Sequence, residues 1–248
     1  MKKIAFITGA TSGIGEATAL ALADKFKLII CGRRAERLAA LKERLATDVI
    51  TLCFDVRDKK DVFQKIASLP EEWQAIDLLI NNAGNAHGMS HIQDGDIADW
   101  DAMIDINVKG LLYVSKAILP SMVSRKSGHI INIGSIAGIE SYEKGNVYNA
   151  SKFAVDAITK GMRTDLLEHG IKVSEIKPGL VATEFSEVRF KGDKEKAEKV
   201  YQGFEPLYAQ DIAEVIEFMV TRPAHVNLAD ILILPTAQSS ATRVKKES

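Results

Sequence analysis

Cysteine is scarce in this chain, long apolar runs are missing, and neither sign of charge dominates. Only Cys31 and Cys53 occur among 248 residues. Each falls inside an apolar run and neither matches a metal-ligand or redox spacing. No metal site is therefore expected, and both are read as buried free thiols of a reducing compartment, with the cytoplasm as the default location. No apolar stretch approaches the roughly 20 residues of a membrane span. Met1-Lys2-Lys3 ahead of Ile4-Ala5-Phe6-Ile7 imitates the start of a signal peptide, but the run stops at Thr8-Gly9, too short for the apolar core of one. With 32 Lys and Arg against 33 Asp and Glu, the net charge of -1 leaves no basic footprint for nucleic acid. A composition shift, linker or internal repeat that would divide the chain is also absent.

What is present is an ordinary globular composition, 46% hydrophobic and 26% charged, over a length that can bury a substantial core. Apolar runs of strand length recur at Ile4 to Ile7, Leu28 to Cys31, Val49 to Phe54, Leu78 to Ile80, Ile130 to Ile133, Val173 to Ile176 and Ile231 to Leu234. Helical patterns separate most of them. Strands apolar on both faces and alternating with helices predict one α/β domain over residues 1–248, a doubly wound seven-stranded parallel sheet in the order 3-2-1-4-5-6-7.

The ends of these strands carry the candidate site. After the first comes Thr8-Gly9-Ala10-Thr11-Ser12-Gly13-Ile14-Gly15, with a helix predicted from Glu16 to Phe26; a glycine turn there lets backbone N–H groups approach a phosphate at a helix N-terminus. The second strand ends in Arg33-Arg34 with no acid. In a doubly wound nucleotide site this end meets the adenosine ribose, so two guanidinium groups favour a 2′-phosphate and hence NADP. Asp55 ends the third strand and is suited either to the adenine amino group or to a turn. Asn81-Asn82-Ala83-Gly84 ends the fourth, beside the glycine turn and across the crevice. Ser135 follows the fifth, and Pro178 to Phe185 the sixth. Six strand ends of a parallel sheet share one edge, where such folds bind ligands.

On a helix after Ser135, Tyr148 and Lys152 stand four residues apart and so share a face. A phenol is a poor base at neutral pH, and a fixed cation beside it favours the phenolate. From Asp96 to about Arg125 one long helix is expected, kinked or ended near Pro120 and apolar nearly all round, as in a helix either deeply buried or packed against another subunit. Asn107 in its middle needs either a local backbone partner or an ordered water. Residues 186–203 are polar, Lys-rich and suited to a substrate lid, and the tail at 236–248 is either disordered or docked on a neighbouring subunit.

Taken in order, Thr8-Gly9-x-x-x-Gly13-x-Gly15, Asp55-Val56, Asn81-Asn82-Ala83-Gly84, Asn107, Ser135, Tyr148-x-x-x-Lys152 and Pro178-Gly179 through Thr183 resemble the motifs of the short-chain dehydrogenase/reductase family. Within it, Arg33-Arg34, Ser68 to Trp73 and Val188-Arg189-Phe190-Lys191-Gly192-Asp193 resemble the NADP-dependent 3-hydroxy acid dehydrogenases, which act on serine and L-allo-threonine. The resemblance implies NADP held by Gly9, Ala10, Thr11, Ser12, Gly13, Ile14 and Gly15, by Arg33, Arg34, Asp55 and Val56, by Asn82, Ala83 and Gly84, and by Tyr148, Lys152, Pro178, Gly179, Val181 and Thr183. It implies a catalytic set of Asn107, Ser135, Tyr148 and Lys152. Tyr148 is then acid or base, Lys152 lowers its pKa and holds the nicotinamide ribose, Ser135 binds the reacting oxygen, and Asn107 holds a water that links Lys152 to solvent. The resemblance also implies a homotetramer. A 3-hydroxy acid carries a carboxylate, for which Arg189 is the expected partner and Lys191 the next choice. Reduction of a ketone, a sugar or a 3-ketoacyl thioester, and a sensor that binds NADP without turnover, stay open at this point.

Overall fold

The computed structural model describes residues 2–247. Seven parallel strands form one sheet: β1 (Lys3–Ile7), β2 (Phe26–Gly32), β3 (Val49–Cys53), β4 (Ile76–Asn81), β5 (Gly128–Ile133), β6 (Ile171–Pro178) and an edge strand (Asp230–Ile233). Their order, 3-2-1-4-5-6-edge, is the expected doubly wound one. Side chains alternate between two cores because successive residues of a strand face opposite ways. Leu28 and Ile30 of β2 join the core under α1 (Gly13–Leu22), α2 (Ala35–Glu43) and a late helix at Ala209–Val220, while Ile29 and Cys31 join the other. That second core is closed by α3 (Lys59–Ala67), by α5 (Leu111–Arg125) and by α6 (Asn146–Asp165), while α4 (Ile97–Ile104) packs Met103 and Trp100 in a smaller cluster around Tyr148.

Several expectations are corrected. The helix after the glycine turn begins at Gly13, three residues ahead of Glu16, and stops at Leu22. Cys31 is buried, but Cys53 is exposed, because the outermost strand leaves its last residue uncovered. The expected single helix from Asp96 to Arg125 is broken by a widened π turn at Asp105–Gly110, and Pro120 sits inside α5 without ending it. A π turn adds a residue to the helical ladder and re-aims the side chains within it, and here those include Asn107.

The expected lid at residues 186–203 is helical, comprising α7 (Phe185–Arg189) and α8 (Lys194–Lys199). On either side of them, β7 (Val181–Ala182) pairs in parallel with β8 (Leu207–Tyr208), so that α9 (Ala209–Val220) and the edge strand, β9, complete the chain. The tail, expected to be disordered or docked on a neighbour, is ordered through Glu247 and folds back on its own chain, with the backbone N–H of Lys245 donating to Ala237 at 2.8 Å and that of Glu247 to Gly203 at 2.7 Å. No helix among the described residues is long and apolar enough to cross a membrane.

A buried polar line pins the helices to the strands. Asn81 and Asn132 are cross-strand partners at the ends of β4 and β5. Nδ2 of Asn81 donates to Oγ of Ser115 on α5 and to Oδ1 of Asn132, both at 2.9 Å, and Nδ2 of Asn132 donates to Oγ1 of Thr159 on α6 at 2.9 Å. Thr159→Val keeps the shape and leaves the amide unpaired, so it is expected to cost about 2 kcal/mol. Urea unfolding would read this as a lower midpoint at unchanged slope.

Candidate active site

At the carboxyl edge of the sheet the strand ends line a cleft of about 480 Å³ that reaches from Arg33 to Tyr148. Its floor depends on the join between β1 and β4. Oγ1 of Thr8 accepts the backbone N–H groups of Asn82 and Ala83, each at 2.9 Å, and Nδ2 of Asn82 donates to the carbonyls of Thr8 and Gly9 at 2.9 and 3.2 Å. Asn82 therefore fixes the shape of the glycine turn. Gly9 has φ +66, and a Cβ there would lie 2.9 Å from Cα of Ala83, so only glycine lets the turn pass under that strand end. Helix α1 starts at Gly13 with no side chain capping it, which leaves its N–H groups and partial positive charge free for a phosphate.

The two arginines after β2 part company. Arg34 turns inward, donating from Nη2 to Oγ1 of Thr11 at 3.0 Å and to Oγ of Ser12 at 2.9 Å, and from Nη1 to Oε2 of Glu184 at 3.0 Å. Arg33 stays half-exposed on the cleft lining, with only a loose 3.7 Å approach to Asp55. Asp55 in turn accepts from the backbone and side chain of Arg57 and lines the same cleft. Gly179 lies under the tail, whose Gln238 accepts from the N–H of Leu180 at 2.9 Å. Thr183 packs on Gly13, and Val181 forms the short ribbon. The uncapped helix, the glycine turn and the free guanidinium at one end fit a dinucleotide with a 2′-phosphate.

The other end brings together Asn107, Ser135, Tyr148 and Lys152, all buried. Oγ of Ser135 accepts from the N–H of Ala137 at 3.1 Å and keeps its own proton to give. Burial pushes the Tyr148 phenol well above its ordinary range and Tyr142 adds to this, while the Ser135 hydroxyl and the Arg189 guanidinium pull it back. Lys152 is not among the main pulls on the phenol. Its Nζ lies 6.0 Å from the Tyr148 ring centroid and donates to the carbonyl of Ile133 at 2.9 Å, and burial brings it down to about 8.

Asn107 finds its side-chain partners far along the chain. Oδ1 accepts from the N–H of Asn85 at 2.8 Å, and Nδ2 donates to the carbonyl of Asn85 at 2.8 Å and to Oγ of Ser151 at 2.9 Å. Both N–H groups of its amide are committed to protein. It still borders Lys152: a Cβ on Gly84 would lie 3.0 Å from Oδ1 of Asn107 and 3.7 Å from Nζ of Lys152.

Arg189 comes from α7 and enters the cleft. Its guanidinium carbon is 5.3 Å from the Tyr148 ring centroid and 5.4 Å from that of Tyr142, and Nη2 donates to the Tyr142 hydroxyl at 2.7 Å. Lys191 points away, to Asp99 at 3.0 Å and Asp96 at 3.6 Å at the start of α4, so it is no part of the cleft. Sequence reasoning missed Tyr142, Glu184 and Phe185. Phe185 packs on Tyr148 with ring centroids 5.6 Å apart, and Glu184 reaches Arg34 and Arg37. The one available signal was their adjacency to Thr183 and, for Tyr142, a position one and a half turns before Tyr148.

The sequence matches the family model for short chain dehydrogenases over residues 3–194. It is 47% identical over 240 residues to an NADP-dependent 3-hydroxy acid dehydrogenase of Salmonella typhi, spanning 96% of this chain and 97% of that one. An NADP-dependent 3-hydroxy acid dehydrogenase of Schizosaccharomyces pombe is 45% identical over 251 residues, spanning 99% and 97%. A solved serine dehydrogenase in its closed form with NADP+ superposes with a TM-score of 0.94 at 45% identity, covering 99% of this chain and 100% of that one. If Arg33 meets the 2′-phosphate, Arg33→Ala raises KM for NADPH by roughly tenfold and leaves KM for NADH nearly unchanged. Steady-state kinetics with the two cofactors checks this.

Proposed function

The chain belongs to the short-chain dehydrogenase family and is an NADP-dependent oxidoreductase acting on CH–OH groups, and from that premise we propose that its substrate is a small 3-hydroxy acid such as serine, L-allo-threonine or 3-hydroxypropionate. The observation that carries this reading is Arg189, a guanidinium held by Tyr142 at 2.7 Å directly beside the Tyr148 ring. A carboxylate two bonds from a carbinol carbon is short enough to reach Arg189 while the hydroxyl meets Tyr148. Arg189 also offers the planar fork of donors that a carboxylate accepts. The named activities of the relatives agree with this choice.

In oxidation the Tyr148 phenolate takes the hydroxyl proton, and in reduction the phenol returns it to the carbonyl oxygen. Ser135 donates to that same oxygen and sets its angle to Tyr148. NADP, when bound, supplies the hydride chemistry at the carbinol carbon. Lys152 would hold the nicotinamide ribose and place a positive charge beneath the site, and Asn107 fixes the segment at Asn85 against α6 beside it. Arg33 and the N-terminus of α1 would bind phosphate oxygens, while Thr11, Ser12 and Glu184 hold Arg34 against the glycine turn.

Helices α7 and α8 act as the substrate lid, with Phe185 and Arg189 as its inner surface. The unpaired thiols support a cytoplasmic location. The homotetramer that the family resemblance implies has an apolar surface available at Leu112 and Phe153, both exposed, on α5 and α6.

Tyr148→Phe is expected to abolish turnover and preserve NADPH binding, read by the NADPH absorbance band and by fluorescence titration. Turnover close to the parent level would sink the mechanism. Arg189→Ala is expected to raise KM for serine or 3-hydroxypropionate by roughly 10- to 100-fold, the loss of one charge-assisted contact. An unchanged KM, or faster reduction of an uncharged ketone or an acyl thioester than of any 3-oxo acid, would overturn the substrate assignment.

A further inference from the structure

Of the three ionisable residues on strand β6, Lys172, Glu175 and Lys177, the last two are two apart and therefore on one face. Glu175 is 0% exposed, and neither of its carboxylate oxygens finds a hydrogen-bond donor among the described residues. Nζ of Lys177 approaches Oε2 at 3.3 Å, outside hydrogen-bond geometry, and is held instead by Asp156 on α6 at 2.9 Å and by Asp230 on β9 at 2.6 Å. Carboxylate oxygens of Asp156, Glu175 and Asp230 lie within 4.8 Å of one another, an acidic cluster to which the chain itself supplies the cation. A buried carboxylate with one ion pair, to Lys177, and no hydrogen bond is poorly compensated, so a second cation close by stabilises its charged form.

Lys152 is a second cation within electrostatic reach of this carboxylate, beyond ion-pair contact. Its Nζ donates to the carbonyl of Ile133 at 2.9 Å, and the carboxylate of Glu175 lies against the next residue, Gly134, so closely that no side chain fits there. Ammonium and carboxylate thus occupy adjacent residues at the end of β5. Among the neighbouring charges Glu175 is the one that raises the proton affinity of Lys152 against burial. We propose that Glu175 is a positioning residue for the Tyr148–Lys152 pair: its buried carboxylate is the counter-charge that keeps Lys152 protonated where water is excluded, and Lys177, clamped by Asp156 and Asp230, fixes that carboxylate in place. This rests on the reading above in which Tyr148 transfers the proton and Lys152 supports it.

The groups that face Glu175 are Lys177 on its own strand, Lys152 and Asp156 on α6, and Asp230 on β9. Lys160 is paired to Asp156 and Arg163 to Asp230 one step farther out. Burial pushes Glu175 up to about 7 and Lys152 down to about 8, so the two are charged together chiefly in the narrow interval between those values. Lys152 works in its charged form, and raising the pH removes its proton. Replacing Glu175 by a neutral residue removes the charge that holds the proton, so Lys152 titrates at lower pH.

Nitrogen NMR of the Lys152 amine in the NADP+ complex tests this without a substrate. Glu175→Gln is expected to move its titration down by about one pH unit. In the reduction of 3-oxopropionate by NADPH, where Tyr148 and Lys152 both act protonated, the alkaline fall of kcat/KM moves down with it. Glu175→Asp, which withdraws the same charge by one methylene, shifts both by less. A purely structural role would lower the melting temperature or scale kcat at every pH and leave both titrations where they were. If Glu175→Gln does not yield folded protein, Glu175→Asp decides. An unmoved Lys152 titration in a folded variant overturns the proposal. Turnover by Tyr148→Phe near the parent level would instead remove the reading on which it rests.

Discussion

The line of buried amides and hydroxyls from Ser115 through Asn81 and Asn132 to Thr159 decides how this molecule is put together. Apolar packing would hold α5 and α6 against the sheet in several registers, because dispersion is insensitive to small slides. Hydrogen bonds between fully shielded groups are not, since one lost partner leaves a desolvated amide. Fixing α6 by Thr159 fixes everything two turns toward its N-terminus. Lys152 then falls at the carbonyl of Ile133 and Tyr148 beside Ser135, residues that belong to the same strand end as Asn132.

The electrostatics of the site follow from that placement. Tyr148, Lys152 and Glu175 are brought where water is excluded, and burial disfavours the charged form of each. Charges of opposite sign are set around them: the Arg189 guanidinium stands 5.3 Å from the Tyr148 ring, and Lys177 gathers the carboxylates of Asp156 and Asp230 beside Glu175.

Cofactor and lid also meet. Glu184, at the start of α7, binds Arg34 and Arg37, so the segment that brings Phe185 and Arg189 over the site is anchored on the helix that follows the 2′-phosphate end. The β7–β8 ribbon and the folded-back tail hold the base of the same segment. Lys191, set aside from the cleft, ties its far end to α4.

Strand periodicity, the alternation with helices, the glycine turn and the spacing of Tyr148 and Lys152 were legible in the sequence because each depends on neighbours within a few residues, and a parallel sheet then gathers its strand ends by necessity. NADP followed from two arginines at one such end. Other features were illegible for the opposite reason. Which arginine is free depends on Glu184, 150 residues from Arg34. The widened turn that spends the Asn107 amide on Asn85 and Ser151 depends on contacts 22 and 44 residues away. Whether Arg189 or Lys191 reaches the cleft was decided by Tyr142 on one side and Asp99 on the other, and the exposure of Cys53 by its place at the sheet's rim. By itself the sequence determined the architecture, the cofactor and the reactive pair. Tertiary structure alone decided which charges surround that pair, because long-range electrostatic and hydrogen-bond partners are chosen by packing and carry no periodicity along the chain.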